Sequence, residues 1–397
     1  MDLQLRNYLV VTAGYWAFTI TDGAIRMLVV LYFHLLGYSP LEVAMLFLFY
    51  EFFGIITNLV GGWLGARIGL NLTMHLGMGL QVIALAALTL PDAWLSVPYV
   101  MAAQALSGIA KDLNKMSAKA SVKTLANTTN NSTLFKWVAI LTGSKNALKG
   151  VGFFVGAALM EWLSFRYALG ILSGLLLLTL LVTAYMLPGG VGKMATKPKF
   201  ADVFSRVPAI NWLAASRFFL FGSRDIWFVV GLPVFLYEVL GWTFMQVGGF
   251  LALWVIGYGF VQAIAPRFVR AQHGGTAARL WASILMLLPA VMALALNNAL
   301  AADQVLIVGL IIFGFIFAIN SAVHSYLILA YSDHDKVAMN VGFYYMANAG
   351  GRLTGTLLSG LIYQLYGLVG CLWASSLFIA IAAILSLKLP NLQGTES

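Results

Sequence analysis

The stretches "FTITDGAIRMLVVLYFHLLGYS" (18–39) and "FGSRDIWFVVGLPVFLYEVLGWT" (221–243) are one pattern written twice. Each sets an aspartate among apolar residues, Asp22 in the first and Asp225 in the second, and each closes near a glycine, Gly37 and Gly241. A second echo lies further along. "NALKGVG" (146–152) returns as "GGRLTG" (350–355), with Lys149 against Arg352. Both echoes are displaced by about two hundred residues, half of a chain of 397. Repetition at half length predicts two halves of like topology, each carrying an acid and a base at the same depth.

Composition says what kind of halves these are. The chain is 61% hydrophobic and only 9% charged, with a mean hydropathy of +0.89. Soluble domains run near half apolar and a quarter charged, so a polytopic membrane protein is expected. Apolar stretches long enough to cross about 30 Å of hydrocarbon follow one another, and the first is too long for a cleaved signal peptide. About twelve spans are legible: 8–36, 42–64, 73–91, 97–121, 135–160, 165–187, 209–238, 243–266, 277–297, 304–330, 337–363 and 367–388. The short alternating segments of a membrane β-barrel are not seen.

Charge in the connections orients the spans. One side collects Arg67, Lys123, Lys193, Lys197, Arg267 and Lys336, while the other has only Arg166 among basic residues, beside Glu42, Asp92, Glu161, Glu238 and Asp303. The positive side faces the cytoplasm, which places both termini there. The longest connection, "PGGVGKMATKPKFADVFSRVP" (188–208), is rich in helix breakers and reads as a cytoplasmic linker between the halves 1–187 and 209–397. The fold class is therefore all-α membrane protein, about twelve transmembrane helices in two six-helix repeats, the pattern of the major facilitator fold. The loop "GGWLGARIGLN" (61–71) resembles that superfamily's loop motif at Gly62, Arg67 and Gly69. It departs from it at Ala66, where the motif has an acid, and at Leu70 and Asn71, where it has a basic pair.

The charges inside the spans carry the functional reading. "GIAKDLNKMSAK" (108–119) stacks Lys111, Lys115 and Lys119 on one helical face beside Asp112. Away from span ends the cations are Arg26, Lys111, Lys115, Lys145, Lys149, Arg217, Arg224 and Arg352, and the acids are Asp22, Glu51, Asp112 and Asp225. Lys119 is placed at the cytoplasmic end, where its long stem can snorkel to water. Each cation facing lipid costs about 2.5–3.5 kcal/mol, so eight cost roughly 20–28, more than a typical folding stability of about 5–15. They must face partners or water inside. Asp22 and Arg26, at i and i+4, can pair along one helix. Four acids against eight bases leave an excess of four cations, and an anionic small-molecule substrate is the economical counter-ion. Arginine forks suit phosphate-like oxyanions, and the cations stand in both halves, as a site shared by two repeats requires. Separated cationic groups suit a ligand with negative charge at both ends. The four acids are candidates for charge pairing or proton coupling.

Other polar residues, Asn114, Asn146, Asn320, Asn348, Gln81 and Gln104, bind ligand or tie helices together. His324 titrates near neutral pH if it is not a satisfied structural histidine. Gly152 with Gly156, and Gly351 with Gly355, are small-residue pairs that let helices approach closely. The triplets within "NTTNNST" (127–133) resemble glycosylation acceptors, but they fall on the cytoplasmic side. No phosphate-binding glycine loop, metal-spaced histidines or nucleophile elbow stands out, so neither an enzyme, a cofactor, a metal nor a nucleic-acid partner is expected. One cysteine, Cys371, offers no disulfide and no thiolate cluster.

Five segments carry a closer resemblance: "GYWAFTITDGAIRMLVVLYFH" (14–34), "FLFYEFFGIITNLVGGWLGARIGLNLTM" (47–74), "MAAQALSGIAKDLNKMSAKASVK" (101–123), "WVAILTGSKNALKGVGFF" (137–154) and "GGFLALWVIGYGFVQAIAPR" (248–267). They resemble the ArsJ-type organoarsenical efflux transporters of bacteria, over most of the chain. The resemblance implies an inner-membrane exporter of 1-arseno-3-phosphoglycerate, conferring arsenate resistance. It also implies a functional link to a glyceraldehyde-3-phosphate dehydrogenase that uses arsenate in place of phosphate. Arg26 and Arg224, in spans one and seven, also resemble the phosphate clamp of organophosphate–phosphate antiporters, so that exchange, or export of another organic anion, stands as an alternative. A non-transporting membrane sensor is a second alternative, and it gives the central cations no task.

Overall fold

The computed structural model describes residues 3–36, 46, 48–126, 131–193, 204–242, 244–298 and 301–392. Helices stand at all twelve expected positions. They are α1 (Leu3–Leu35), α2 (Leu48–Ile68), α3 (Leu70–Ala87), α4 (Val97–Ala126), α5 (Asn131–Trp162), α6 (Phe165–Met186), α7 (Pro208–Phe228), α8 (Phe244–Ile264), α9 (Gly274–Asn297) and α10 (Ala302–Ala330). The last helical run, Val337–Ser386, breaks at Gly367 (φ 63°, ψ −165°), which divides it into α11 (337–366) and α12 (368–386). Only glycine adopts that backbone without strain. No strand occurs among the described residues. Six of the described helical segments are long and apolar enough to cross a membrane by length and composition. The start of the second expected span (42–45) and linker residues 194–203 lie outside the described residues, as do 127–130 of "NTTNNST".

Contacts divide the chain into two compact units. Unit 1 comprises Met1–Thr129, Ser144–Phe204 and Ser332–Met346, and unit 2 comprises Asn130–Gly143, Ser205–Tyr331 and Ala347–Ser397. In unit 1, α4 packs on α1, α2 and α3, and α6 packs on α1 and α3. Gly69 (φ 105°) turns the chain between α2 and α3, which explains the last glycine of the loop motif. The N–H of Leu70 then donates to Val191 O (2.7 Å), and Asn71 Nδ2 donates to Pro188 O (2.7 Å), so the two residues that depart from the motif fasten the start of the linker. At Gly62 an added Cβ would lie 2.8 Å from Ala338 O, so the start of α11 presses on α2 there.

In unit 2, α10 packs on α7, α8 and α9 around a core of Trp227, Tyr258, Phe313 and Phe317. Trp227 meets Phe313 edge-on with centroids 5.0 Å apart. Past α7 the chain runs through a short helix, Gly231–Val234, and a π-turn, Phe235–Val239. Ser359 Oγ accepts the N–H groups of Val230 (3.3 Å) and Gly231 (3.2 Å) across that break, which keeps the loosened backbone satisfied in an apolar setting. Large apolar side chains cover the outer surfaces, among them Leu178 and Leu181 on α6, Leu287 and Val291 on α9, and Leu377 and Ile384 on α12. Hydrocarbon solvates such faces at no cost.

Candidate functional site: two carboxylate-centred cation clusters

In unit 1 the site begins with glycine. A Cβ added at Gly23 would lie 2.6 Å from Lys149 O, and one at Gly152 would lie 2.6 Å from Ile20 O, so α1 and α5 touch backbone to backbone. That approach sets Asp22 Oδ2 3.1 Å from Lys149 Nζ. The other carboxylate oxygen accepts the hydroxyl of Tyr50, on α2. Gly108 lets α4 press on Tyr50 in turn, since its Cβ would lie 2.4 Å from Tyr50 O. Lys111 Nζ therefore sits 3.7 Å from the centre of the Tyr50 ring, and Arg26 Cζ sits 4.2 Å from it. Glu51 joins the same two cations, with Oε1 2.8 Å from Arg26 Nη2 and Oε2 3.7 Å from Lys111 Nζ. Asp112, buried, pairs with Lys115 one turn on, and its Oδ2 is 3.8 Å from Lys111.

Unit 2 repeats the construction on α7 and α11. A Cβ at Gly351 would lie 2.1 Å from Phe218 O, and one at Gly355 would lie 2.4 Å from Gly222 O. Asp225, fully buried, takes Arg224 on Oδ1 (Nη2 2.5 Å, Nε 2.7 Å) and Arg352 on Oδ2 (Nε 3.0 Å). Arg217 is 3% exposed and bonds neutral groups, with Nε donating to Asn348 Oδ1 (2.8 Å) and Nη1 to Ser321 Oγ (3.2 Å) and Ser321 O (3.3 Å). Arg217 and Arg224 share a helical face, as their spacing predicts, and both lie over Phe221, at 3.6 and 5.1 Å.

Described contacts thus gather eleven of the twelve intramembrane charges, all but Lys145, into one group per unit, with three corrections to the sequence reading. Asp22 pairs with Lys149 and Arg26 with Glu51, so partners come from neighbouring helices, not from one turn along α1. The excess of four cations survives as formal charge, two in each unit, but not as four unpaired groups. Glu51, Asp112 and Asp225 each serve two cations, so among the described contacts the four acids meet at least six of the eight bases. Lys119 does not reach an exposed end. It is 3% exposed, with Nζ 5.7 Å from the centre of the Tyr345 ring, and Lys115 approaches the same ring at 4.5 Å. Lys145 donates to the side chain of Asn146 (3.2 Å).

Aromatic rings were the part of the site missing from the sequence reading. Tyr50, Phe221 and Tyr345 each hold two cations against a ring face, an attraction of about 0.5–2 kcal/mol per contact. The local signal for Tyr50 was its place beside Glu51; for Tyr345 there was none, since its cations come from α4. Among the described residues no group of His, Cys, Asp or Glu is arranged to hold a metal ion.

Two units, each built on a glycine-packed helix pair and repeating an aspartate–base contact, can be compared with known proteins. The profile described as Major Facilitator Superfamily matches residues 11–323. The chain belongs to the major facilitator superfamily. It is a membrane transporter. Solved structures agree on the superfamily's fold. The human organic anion transporter MFSD10 (TETRAN) superposes with a TM-score of 0.79 at 17% identity, covering 97% of this chain and 100% of that one. A bacterial homologue of the iron transporter ferroportin, in an outward-facing state, gives 0.76 at 15% identity, with 98% and 99% covered. The proton:xylose symporter XylE gives 0.76 at 14% identity, with 98% and 96% covered. At such identities the likeness to these major facilitator structures is one of fold. A search of curated protein sequences found no match.

Proposed function

We propose that this transporter exports an organic ester bearing an oxyanion at each end, 1-arseno-3-phosphoglycerate, and so confers arsenate resistance. The observation that carries the reading is the formal excess of two cations in each unit, beside carboxylates of which three already serve two cations each. A carboxylate shared between two cations leaves charge for an oxyanion to neutralise, and guanidinium and ammonium groups bind phosphate-like oxygens well. Arg26, Lys111, Lys115, Lys145 and Lys149 are the substrate-binding groups of unit 1, and Arg217, Arg224 and Arg352 those of unit 2. Asp22, Glu51, Asp112 and Asp225 hold Arg26, Lys111, Lys115, Lys149, Arg224 and Arg352 when substrate is absent. Trivalent arsenic would call for several thiolates, and the chain has the one cysteine.

Export proceeds by alternating access, from the cytoplasm across the bacterial inner membrane, with both termini cytoplasmic. A polyanion leaving a negative-inside cell is driven by about 2.3 kcal/mol per charge per 100 mV. The substrate comes from a dehydrogenase that accepts arsenate, so the two proteins act in sequence without needing to touch, and the transporter itself breaks no bond. The test is accumulation of the ester in everted vesicles supplied with the dehydrogenase, arsenate and glyceraldehyde 3-phosphate. Uptake is expected only with all three. Uptake of organophosphates driven by an opposing phosphate gradient, with none of the arseno ester, would replace this reading by phosphate exchange.

A further inference from the structure

The sequence left His324 as either a titrating group or a satisfied structural histidine, and no described residue satisfies it. His324 is fully buried on α10, and neither ring nitrogen has a hydrogen-bond partner among the described residues. One turn earlier Asn320 is fully buried too, and both of its amide atoms lack partners among the described residues. Ser325 Oγ, also buried, is in the same condition. Four orphaned side-chain polar atoms on the Asn320–His324 face are costly, at about 1–3 kcal/mol each, and buried polar groups are otherwise almost always satisfied. A cost of that size is kept where another conformation recovers it, and a transporter must visit a second conformation.

Ser321, on the same turn as Asn320, receives Arg217 from α7. The charged and titratable groups on the elements described as packed against α10 are Arg217, Arg224 and Asp225 on α7, Tyr258 on α8, Arg267 in the short helix Ala265–Arg267, Arg279 on α9 and, beside the Phe135 ring that stacks on Tyr326, Lys136 on α5. Arg224 and Asp225 are paired with each other, Arg279 acts on Tyr331 at the helix end, and Arg217 is the charge whose field reaches the imidazole. On α11 the neighbour of Arg217 is the neutral Asn348.

We propose that His324 is a proton-binding residue of the transport cycle, neutral in the conformation seen here and protonated when an anion occupies Arg217 and water reaches the Asn320–His324 face. An imidazolium has two N–H donors and needs two acceptors, and in this conformation the described residues provide none. When the face is wetted, water supplies them, and one proton from solvent adds to the ring nitrogen that carries no hydrogen. Arg217 repels that second positive charge. An oxyanion held by Arg217 offsets the repulsion, so proton and anion bind together, each tightening the other by the same factor. The inference rests on the chain being a transporter and on Arg217 receiving anions; it does not depend on the arsenate ester.

Sulfate is the probe, because it remains a dianion from pH 5.5 to 8 and any pH dependence belongs to the protein. Purified transporter in detergent is titrated with sulfate and read by the shift in melting temperature. Wild type should bind sulfate about fivefold or more tightly at pH 5.5 than at pH 8, the range of a typical coupling. His324→Gln, which keeps a polar side chain without a titrating group, should show one affinity at both pH values. Should that variant fail to fold, dye-detected proton uptake by wild type on sulfate addition replaces it: sulfate added at pH 7 should draw protons from a weakly buffered solution. A flat wild-type profile, a His324→Gln variant that keeps the wild-type change, or absence of proton uptake overturns the proposal. Failure of ester accumulation in vesicles would instead overturn the arsenate reading and leave this one standing.

Discussion

Set side by side, the α1–α5 contact of unit 1 and the α7–α11 contact of unit 2 are one device with two chemistries. In both, glycine removes side chains from the crossing and an aspartate on one helix meets a base on the other, Asp22 with Lys149 at 3.1 Å and Asp225 with Arg352 at 3.0 Å. The partners differ. Asp22 spends its second oxygen on the Tyr50 hydroxyl, whereas Asp225 spends its second on another guanidinium, Arg224. The fourth helix of each half differs more. The column Lys111, Lys115 and Lys119 on α4 is matched, at the same displacement of about two hundred residues, by Gly314, Ala318 and Ala322 on α10. Lys111 lies on the ring of Tyr50, while a Cβ at Gly314 would come within 2.9 Å of the indole of Trp254. One slot beside an aromatic ring is filled by a cation in unit 1 and by backbone in unit 2. The repeat preserves the crossing and varies what stands around it.

That comparison breaks most easily at the aspartates. Asp225→Asn strips a buried counter-ion from two guanidiniums and should cost about 3–5 kcal/mol, whereas Asp22→Asn keeps an oxygen for the Tyr50 hydroxyl and should cost about half of that. Melting in detergent checks the order, and an equal loss at the two sites would mean that the second partner does not matter. Adding Arg352→Gln to Asp225→Asn should recover part of the loss, because it removes one of the stranded charges.

Glycine comes next. Gly351→Ala and Gly152→Ala should each cost about 1–3 kcal/mol through overpacking, the first more than the second because its Cβ is met at 2.1 Å against 2.6 Å. Vesicle transport should fall with both. A tolerated Gly351→Ala would show that the crossing in unit 2 is looser than in unit 1. The lysine slot follows: Lys111→Gln should lower stability by about 1 kcal/mol, the scale of its contact with the Tyr50 ring, and reduce flux at low and high salt alike, since a contact this sheltered is little screened. A flux deficit confined to low salt would place Lys111 in the solvent.

The smallest effect belongs to Asp92 of unit 1, a residue outside the membrane-spanning segments. Asp92 accepts Tyr32 Oη (2.5 Å) and Arg166 Nη2 (2.8 Å), and these two hydrogen bonds, Tyr32 first, hold its carboxyl below the usual carboxylate range. A depressed folded value means that the contribution is present above the ordinary aspartate range near pH 4 and is lost as pH falls through the lower folded value. Asp92→Asn should therefore melt slightly below wild type by a constant margin from pH 5 to 8, and the margin should close in stronger acid. A margin that changes between pH 5 and 8 would assign it to another group.

Much of the site was legible because membrane burial makes charge conspicuous. Twelve ionisable residues deep in apolar spans cannot face lipid, so the sequence singles them out whatever their partners. Which acid holds which base was not legible. Asp22 and Arg26 satisfy the i, i+4 rule, yet a helix neighbour one turn away loses to Lys149 and Glu51, which arrive from helices pressed close by glycine. The rings were hidden for the same reason: Tyr345 lies far along the chain from the lysines it covers.

By itself, then, the sequence determined an all-helical membrane chain, its internal repeat, the break at the end of α2 and the residues that must be sheltered, because hydropathy, periodicity and left-handed glycine are local properties of the chain. Only the tertiary structure decided that three carboxylates each serve two cations, that Lys119 is buried and that His324 has no hydrogen-bond partner among the described residues. Those outcomes depend on how near one helix stands to the next. A methyl group more or less at Gly23, Gly108, Gly152 or Gly351 changes that distance, and with it which charges touch.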